Sequence, residues 1–124
     1  MLAVLGLPAG VHAETQAHIL LQDSPLAGFQ YHDGKKLWAD IKVGDPLVLV
    51  REPGNPHDAR AIRVEWHGYK LGYVPKRENA DIARLMDNGT KLEARISRLH
   101  ESRDPWQRVR FEILVPLQPG ASDR

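Results

Sequence analysis

The stretch Pro53-Gly54-Asn55-Pro56-His57-Asp58 puts a carboxamide, an imidazole and a carboxylate into six residues whose prolines and glycine prevent them from continuing as a sheet. Ionised, Asp58 is an acceptor only, suited to a hydroxyl or an N–H donor. Cations gather on either side of this loop at Arg51, Arg60, Arg63, Lys76 and Arg77, the residue types that neutralise phosphates. Tyr31 and Tyr73 supply rings on which a nucleic-acid base can stack, worth roughly 1–3 kcal/mol per base. Each residue also has a structural use. Asp58 can accept N–H bonds within its own loop, the commoner role of an aspartate in a turn containing proline and asparagine. The tyrosines can be rim residues with hydroxyls in water, and the cations a solvated face balanced by Glu52, Glu65 and Glu78. Spacing alone leaves both sets of roles open. Trp38 and Trp66 read as core, whereas Trp106, beside Pro105 in a charged loop, reads as an exposed stacking surface.

Catalytic arrangements are not evident. The histidines at positions 12, 18, 32, 57, 67 and 100 fall at no metal-ligand spacing, and neither a nucleophile elbow nor a phosphate loop occurs. His57 and Asp58, adjacent in sequence, point to opposite sides of an extended backbone and so make no dyad. The chain therefore reads as a non-catalytic binding protein, with no catalytic residues, no metal and no cofactor.

The elements that must position the loop are legible on both sides of it. Leu47 to Glu52 reads as the strand entering the loop; Ala59 to Trp66 reads as the strand leaving it, with Ile62, Val64 and Trp66 on one face and Arg63 and Glu65 on the other. His67-Gly68 is a hairpin turn and Tyr69 to Pro75 the antiparallel return. Upstream, Thr15 to Gln22 and Leu26 to His32 read as strands separated by a turn at Asp23-Ser24-Pro25. Leu37 to Ile41 reads either as one helical turn or as a loop stapling the core, and Asp45 as the cap of a turn into the central strand. Downstream, Arg77 to Asn88 carries the stripe Ala80, Ile82, Ala83, Leu85 and Met86 of an amphipathic helix, closed by Asn88-Gly89. Lys91 to Leu99 and Arg108 to Leu117 complete the strands. The expected core comprises Leu47, Leu49, Ile62, Val64, Leu71, Ile82, Leu85, Leu92 and Ile96.

Five to seven short strands, one α-helix and tight turns predict a mainly β fold, a small OB- or SH3-like, partly open β-barrel with one α-helix. A chain of 124 residues with 42% hydrophobic content supports one core, and the domain is expected over 14–117. Residues 1–13 read as a signal peptide or apolar leader, with a small-x-small pattern at Val11-His12-Ala13 but no positive n-region, and residues 118–124 as a disordered tail. Export to the periplasm follows if 1–13 is a signal peptide, a cytoplasmic location otherwise. Seventeen Lys and Arg against sixteen Asp and Glu give a net charge of +1, so a nucleic-acid surface has to come from local placement of charge. Without cysteine there are no disulfides or thiolate metal sites. No apolar run reaches the roughly 18 residues of a membrane-spanning helix, so no membrane insertion is expected.

Taken together and in order, Leu49-Val50-Arg51-Glu52-Pro53-x-Asn55-Pro56-x-Asp58-x-x-Ala61-Ile62-x-Val64, then Gly68, Leu71-Gly72-Tyr73-Val74-Pro75, Ile82-Ala83 and Leu85-Met86-Asp87, resemble the HIRAN domain. That module occurs at the N-terminus of some DNA-remodelling helicases and also alone in bacteria, and the stand-alone bacterial form is the one this chain is similar to. The resemblance implies a modified OB-like barrel binding the 3′ end of single-stranded DNA. By the same resemblance, Asp58 accepts from the terminal hydroxyl, Lys76 falls on a basic position near the phosphates, and Tyr31 matches an aromatic. His57 stands where a tyrosine is expected and Tyr73 where a histidine is. Gln30 and His32 also depart from the pattern, the first replacing a basic residue and the second an aromatic, so one phosphate anchor is missing. The expected partner is thus a 3′ single-stranded DNA end bound by a monomer. The alternative is an exported protein- or envelope-interaction module that keeps the barrel and has lost the DNA ligand.

Overall fold

The computed structural model describes residues 17–117. The readings of a leader over 1–13 and of a tail over 118–124 lie outside the described residues. Six antiparallel strands form one sheet: β1 (Ala17–Pro25), β2 (Pro46–Arg51), β3 (Ile62–Trp66), β4 (Tyr69–Tyr73), β5 (Glu93–Leu99) and β6 (Val109–Leu117), in the spatial order β1-β6-β5-β2-β3-β4. The two edges meet once. Just after β1, Ala27 exchanges two backbone hydrogen bonds with Tyr73 of β4, each 2.9 Å, and this single bridge draws the sheet into the partly open, OB-like barrel that the alternation predicts.

Inside lie Leu26, Phe29, Ile62, Leu71, Ile96, Val109, Phe111 and Ile113, all essentially without solvent contact. Six of the nine predicted core residues are fully buried, while Leu49, Leu85 and Leu92 are half-buried at the margin. Trp38 and Trp66 pack against the core from its rim, and Trp66 donates its indole N–H to Asp45 at 2.9 Å. Asp45 also accepts from the Lys42 N–H, as the turn reading required. At the β3–β4 hairpin both His67 (φ 48°) and Gly68 (φ 84°) are left-handed, the conformation that matches a two-residue turn to the twist of its strands.

Three local expectations are corrected. Asp23-Ser24-Pro25 is not a turn, because β1 runs through it to Pro25: a bulge at Leu21 shifts the register, and buried Ser24 donates to Glu78 at 2.7 Å. Leu26 to His32 is not a strand. Only Ala27 pairs; the left-handed Gly28 then turns the chain into a 3₁₀ turn at Phe29–Tyr31, which drops the Phe29 ring into the core, and α1 (Gly34–Leu37), a single turn, follows. The predicted helix from Arg77 is divided, with a 3₁₀ turn at Lys76–Glu78, buried Asn79, and α2 at Ala80–Asp87. Asp81, Arg84 and Asp87 face outward, and Gly89 (φ 88°) closes the helix, as the pattern predicts.

Candidate nucleic-acid interface

The Pro53–Asp58 loop is held by its asparagine. Asn55 Oδ1 accepts from the backbone N–H of His57 (2.8 Å) and of Asp58 (3.2 Å), while its Nδ2 donates to Glu52 Oε1 at 3.0 Å. Glu52 is in turn the acceptor for Tyr73 Oη at 2.8 Å and Arg63 Nη1 at 2.6 Å. One carboxylate thus ties the loop to β3 and β4. Desolvation acts to raise the Glu52 pKa, but the bonds from Asn55 and Tyr73 and the charges of Arg63 and Lys70 outweigh it, and the group is held below the ordinary carboxylate value.

Asp58 is fixed from two sides. Its Oδ1 accepts from the Arg60 N–H at 2.9 Å, and its Oδ2 from Asn79 Nδ2 at 2.8 Å. The in-loop role thus exists, yet two donors occupy only part of the roughly four lone-pair directions a carboxylate offers. Desolvation again works upward and loses to the Arg60 backbone bond, the Asn79 bond and the Lys76 and Arg60 charges, so the Asp58 pKa lies below its ordinary value. Both carboxyls, with folded values below their unfolded ones, contribute stability that is complete above the unfolded range of about 3.9–4.3 and lost as pH falls through the folded values. An acid titration of the melting temperature is therefore expected to show a decline beginning near pH 4, with a smaller decline in Asp58→Asn. An equal decline in the two proteins would remove Asp58 from the account.

His57, Asp58, Tyr73 and Lys76 line one cleft of about 430 Å³, together with Asn55, Ala61 and Val74. Lys76 reaches toward the His57 carbonyl at 3.4 Å. Tyr31 is not among the cleft's lining residues: it sits on the 3₁₀ turn and is 77% exposed. Sequence reasoning passed over the lining residue Lys70 and the support from Asn79, and named His32, which also lines the cleft, only as a departure from the family pattern. Lys70 Nζ lies 4.6 Å from the centroid of the Tyr73 ring, and the His32 ring meets Tyr73 edge-on at 5.9 Å. Burial and then Lys70 lower the His32 pKa, against weaker opposition from Asp33 and Glu52. Alternation along β4 would set Lys70 on the face opposite Tyr73, and the bulge between Lys70 and Gly72, which no local signal marks, brings the two together. No signal existed for Asn79 either, whose distance from Asp58 in the chain conceals a direct bond.

The other basic residues divide. Arg51 is bidentate to Asp87 and donates to the Ala61 carbonyl, and Arg63 is shared by Glu52 and Glu65, so both serve the fold. Arg60, Lys76 and Arg77 form no ion pair among the described residues and remain exposed. Trp106, 47% exposed, sits on a separate face beside Arg98 and Arg110. Among the described residues no group of His, Asp and Glu has the geometry of a metal site.

Comparison with known proteins agrees with this architecture. A family model described as the HIRAN domain matches residues 19–118. The helicase-like transcription factor of Oryctolagus cuniculus is 34% identical over 64 residues, which cover 51% of this chain and 6% of that much longer protein. A crystal structure of a protein from Lactobacillus plantarum superposes with a TM-score of 0.70 at 28% identity, covering 84% of this chain and 100% of that one. The HIRAN domain of human HLTF superposes with a TM-score of 0.64 at 20% identity, covering 82% and 81% of the two chains.

Proposed function

This chain belongs to the HIRAN domain family, a family of DNA-binding domains, and from that premise we propose that it binds single-stranded DNA in the Asp58 cleft and reads the 3′-hydroxyl end. The observation that carries the reading is the convergence of His57 and Asp58, from the loop, with Tyr73 and Lys76, from the end of β4 and the turn after it, on one cleft. The cleft combines an ionised acceptor with cations, and the end of a DNA strand presents the complement, a hydroxyl donor one sugar away from a phosphate. Asp58 accepts from the hydroxyl, and Lys76 neutralises a phosphate. Tyr31, exposed on the adjoining turn, and His57 offer surfaces on which bases stack. The domain acts by binding alone.

The reading is tested by titrating the protein with a short 3′-hydroxyl oligonucleotide at low salt while following tyrosine and tryptophan fluorescence. Saturable quenching is expected, with log K falling linearly in log salt. No change in fluorescence, together with no mobility shift, would overturn it in favour of a protein-interaction module.

A further inference from the structure

Resting on that reading of the cleft, we infer that Lys70 is a second phosphate ligand of the bound strand and that the Tyr73 ring is the residue that positions it. Lys70 lies on β4 and lines the cleft that Lys76 also lines. Its ammonium stands 4.6 Å over the Tyr73 ring, a favourable placement for a cation on an aromatic face. It makes no ion pair among the described residues. Two neighbouring carboxylates are engaged elsewhere: Glu52 binds Asn55, Tyr73 and Arg63, and Glu65, the cross-strand neighbour of Lys70, binds Arg63.

Glu52 feels the charge of Lys70 but is already bonded to Arg63, so Lys70 and Lys76, which share the cleft, repel each other until an anion enters. The Asp58 carboxylate narrows the choice of anion. A ligand must place a hydrogen-bond donor at Asp58 and negative charge on the lysines, as a sugar hydroxyl next to a phosphodiester does. The ring of Tyr73, whose hydroxyl is bonded to Glu52, contributes through Lys70.

The test is the salt dependence of oligonucleotide binding at pH 8, where His32, with its lowered pKa, is neutral. Each phosphate neutralised on a single strand contributes about 0.7 to the slope of log K against log salt. Lys70→Gln is expected to make the slope shallower by about 0.7, to weaken binding several-fold at low salt, and to keep the preference for a 3′-hydroxyl; Lys70→Arg should restore the slope. Tyr73→Phe, which retains the ring, should behave as wild type in slope. Tyr73→Leu should reproduce the Lys70→Gln slope, and the double variant should lose no more. An unchanged slope in Lys70→Gln overturns the assignment of Lys70, and weaker binding at unchanged slope in Tyr73→Leu makes that ring a stacking surface instead. Failure of the wild-type protein to bind at all is a separate result, seen before any variant is made, and overturns the DNA reading together with this inference.

Discussion

Asp58→Ala is expected to abolish discrimination between 3′-hydroxyl and 3′-phosphate oligonucleotides while leaving salt-sensitive binding through the lysines. An ionised carboxylate attracts a hydroxyl donor and repels a phosphate, and the pKa of Asp58, lowered in this fold, keeps it ionised at neutral pH. A hydrogen bond to a charged group is worth roughly 1.5–3 kcal/mol, which corresponds to a preference of at least about tenfold for the hydroxyl end. Removing the carboxylate also removes the partner of Asn79 Nδ2, on a residue only 1% exposed whose Oδ1 already lacks a partner, so some loss of stability accompanies the loss of selectivity. Asp58→Asn separates the two effects, because the amide keeps an acceptor oxygen for the loop and loses the charge. Fluorescence or anisotropy titrations of both ligands against the three proteins provide the measurement. Equal affinity of the wild-type protein for the two ends would make Asp58 a purely structural residue.

Gly72→Ala is expected to lower the melting temperature by roughly 10–20 °C. A Cβ at this buried position would run into the backbone carbonyl oxygen of Ala27 and press on the Leu26 side chain at 3.1 Å. A backbone carbonyl cannot rotate aside as a side chain can, and this one accepts from the Tyr73 N–H in the bridge that joins the two edges of the sheet. Overpacking costs about 1–3 kcal/mol and each bridge hydrogen bond about 1 kcal/mol, and for a domain of this size 1 kcal/mol corresponds to about 4–8 °C. Gly54→Ala is the control: nothing lies within 4 Å of its Cβ, and a change within about 0.5 kcal/mol is expected. Since Ala27 and Tyr73 both line the cleft, Gly72→Ala should weaken ligand binding as well. A melting temperature within about two degrees of wild type would show that the bridge is not what closes the barrel.

Much of this architecture was legible from side-chain order. Alternation at Ile62, Val64 and Trp66, the turn at His67-Gly68, and the stripe through Ile82 and Leu85 each imply an element, because strand and helix periods are local properties of the chain. The class of the fold and its family pattern followed from these and from the N-P-x-D loop. Errors fell where a tertiary contact overrode a local signal. Asp23-Ser24-Pro25 has turn chemistry but becomes strand because Ser24 is buried against Glu78 and paired with β6. Leu26 to His32 has strand composition but folds into a 3₁₀ turn, because Phe29 is needed in the core and Gly34 leaves room for its ring.

The site divides along the same line. By itself the sequence determined that the loop interrupts the sheet and that it carries an acceptor with cations on either side, since those are matters of residue type and short spacing. Only the tertiary structure decided which groups share a cleft. It joined His57 and Asp58 to Tyr73 and Lys76, left Tyr31 outside, committed Arg51 and Arg63 to ion pairs, and set Lys70 on the Tyr73 ring. The physical reason is that convergence depends on strand register and on the bridge between Ala27 and Tyr73. The bulge that sets the β3–β4 register and the long-range bridge are backbone pairings, and no local pattern of side chains encodes them.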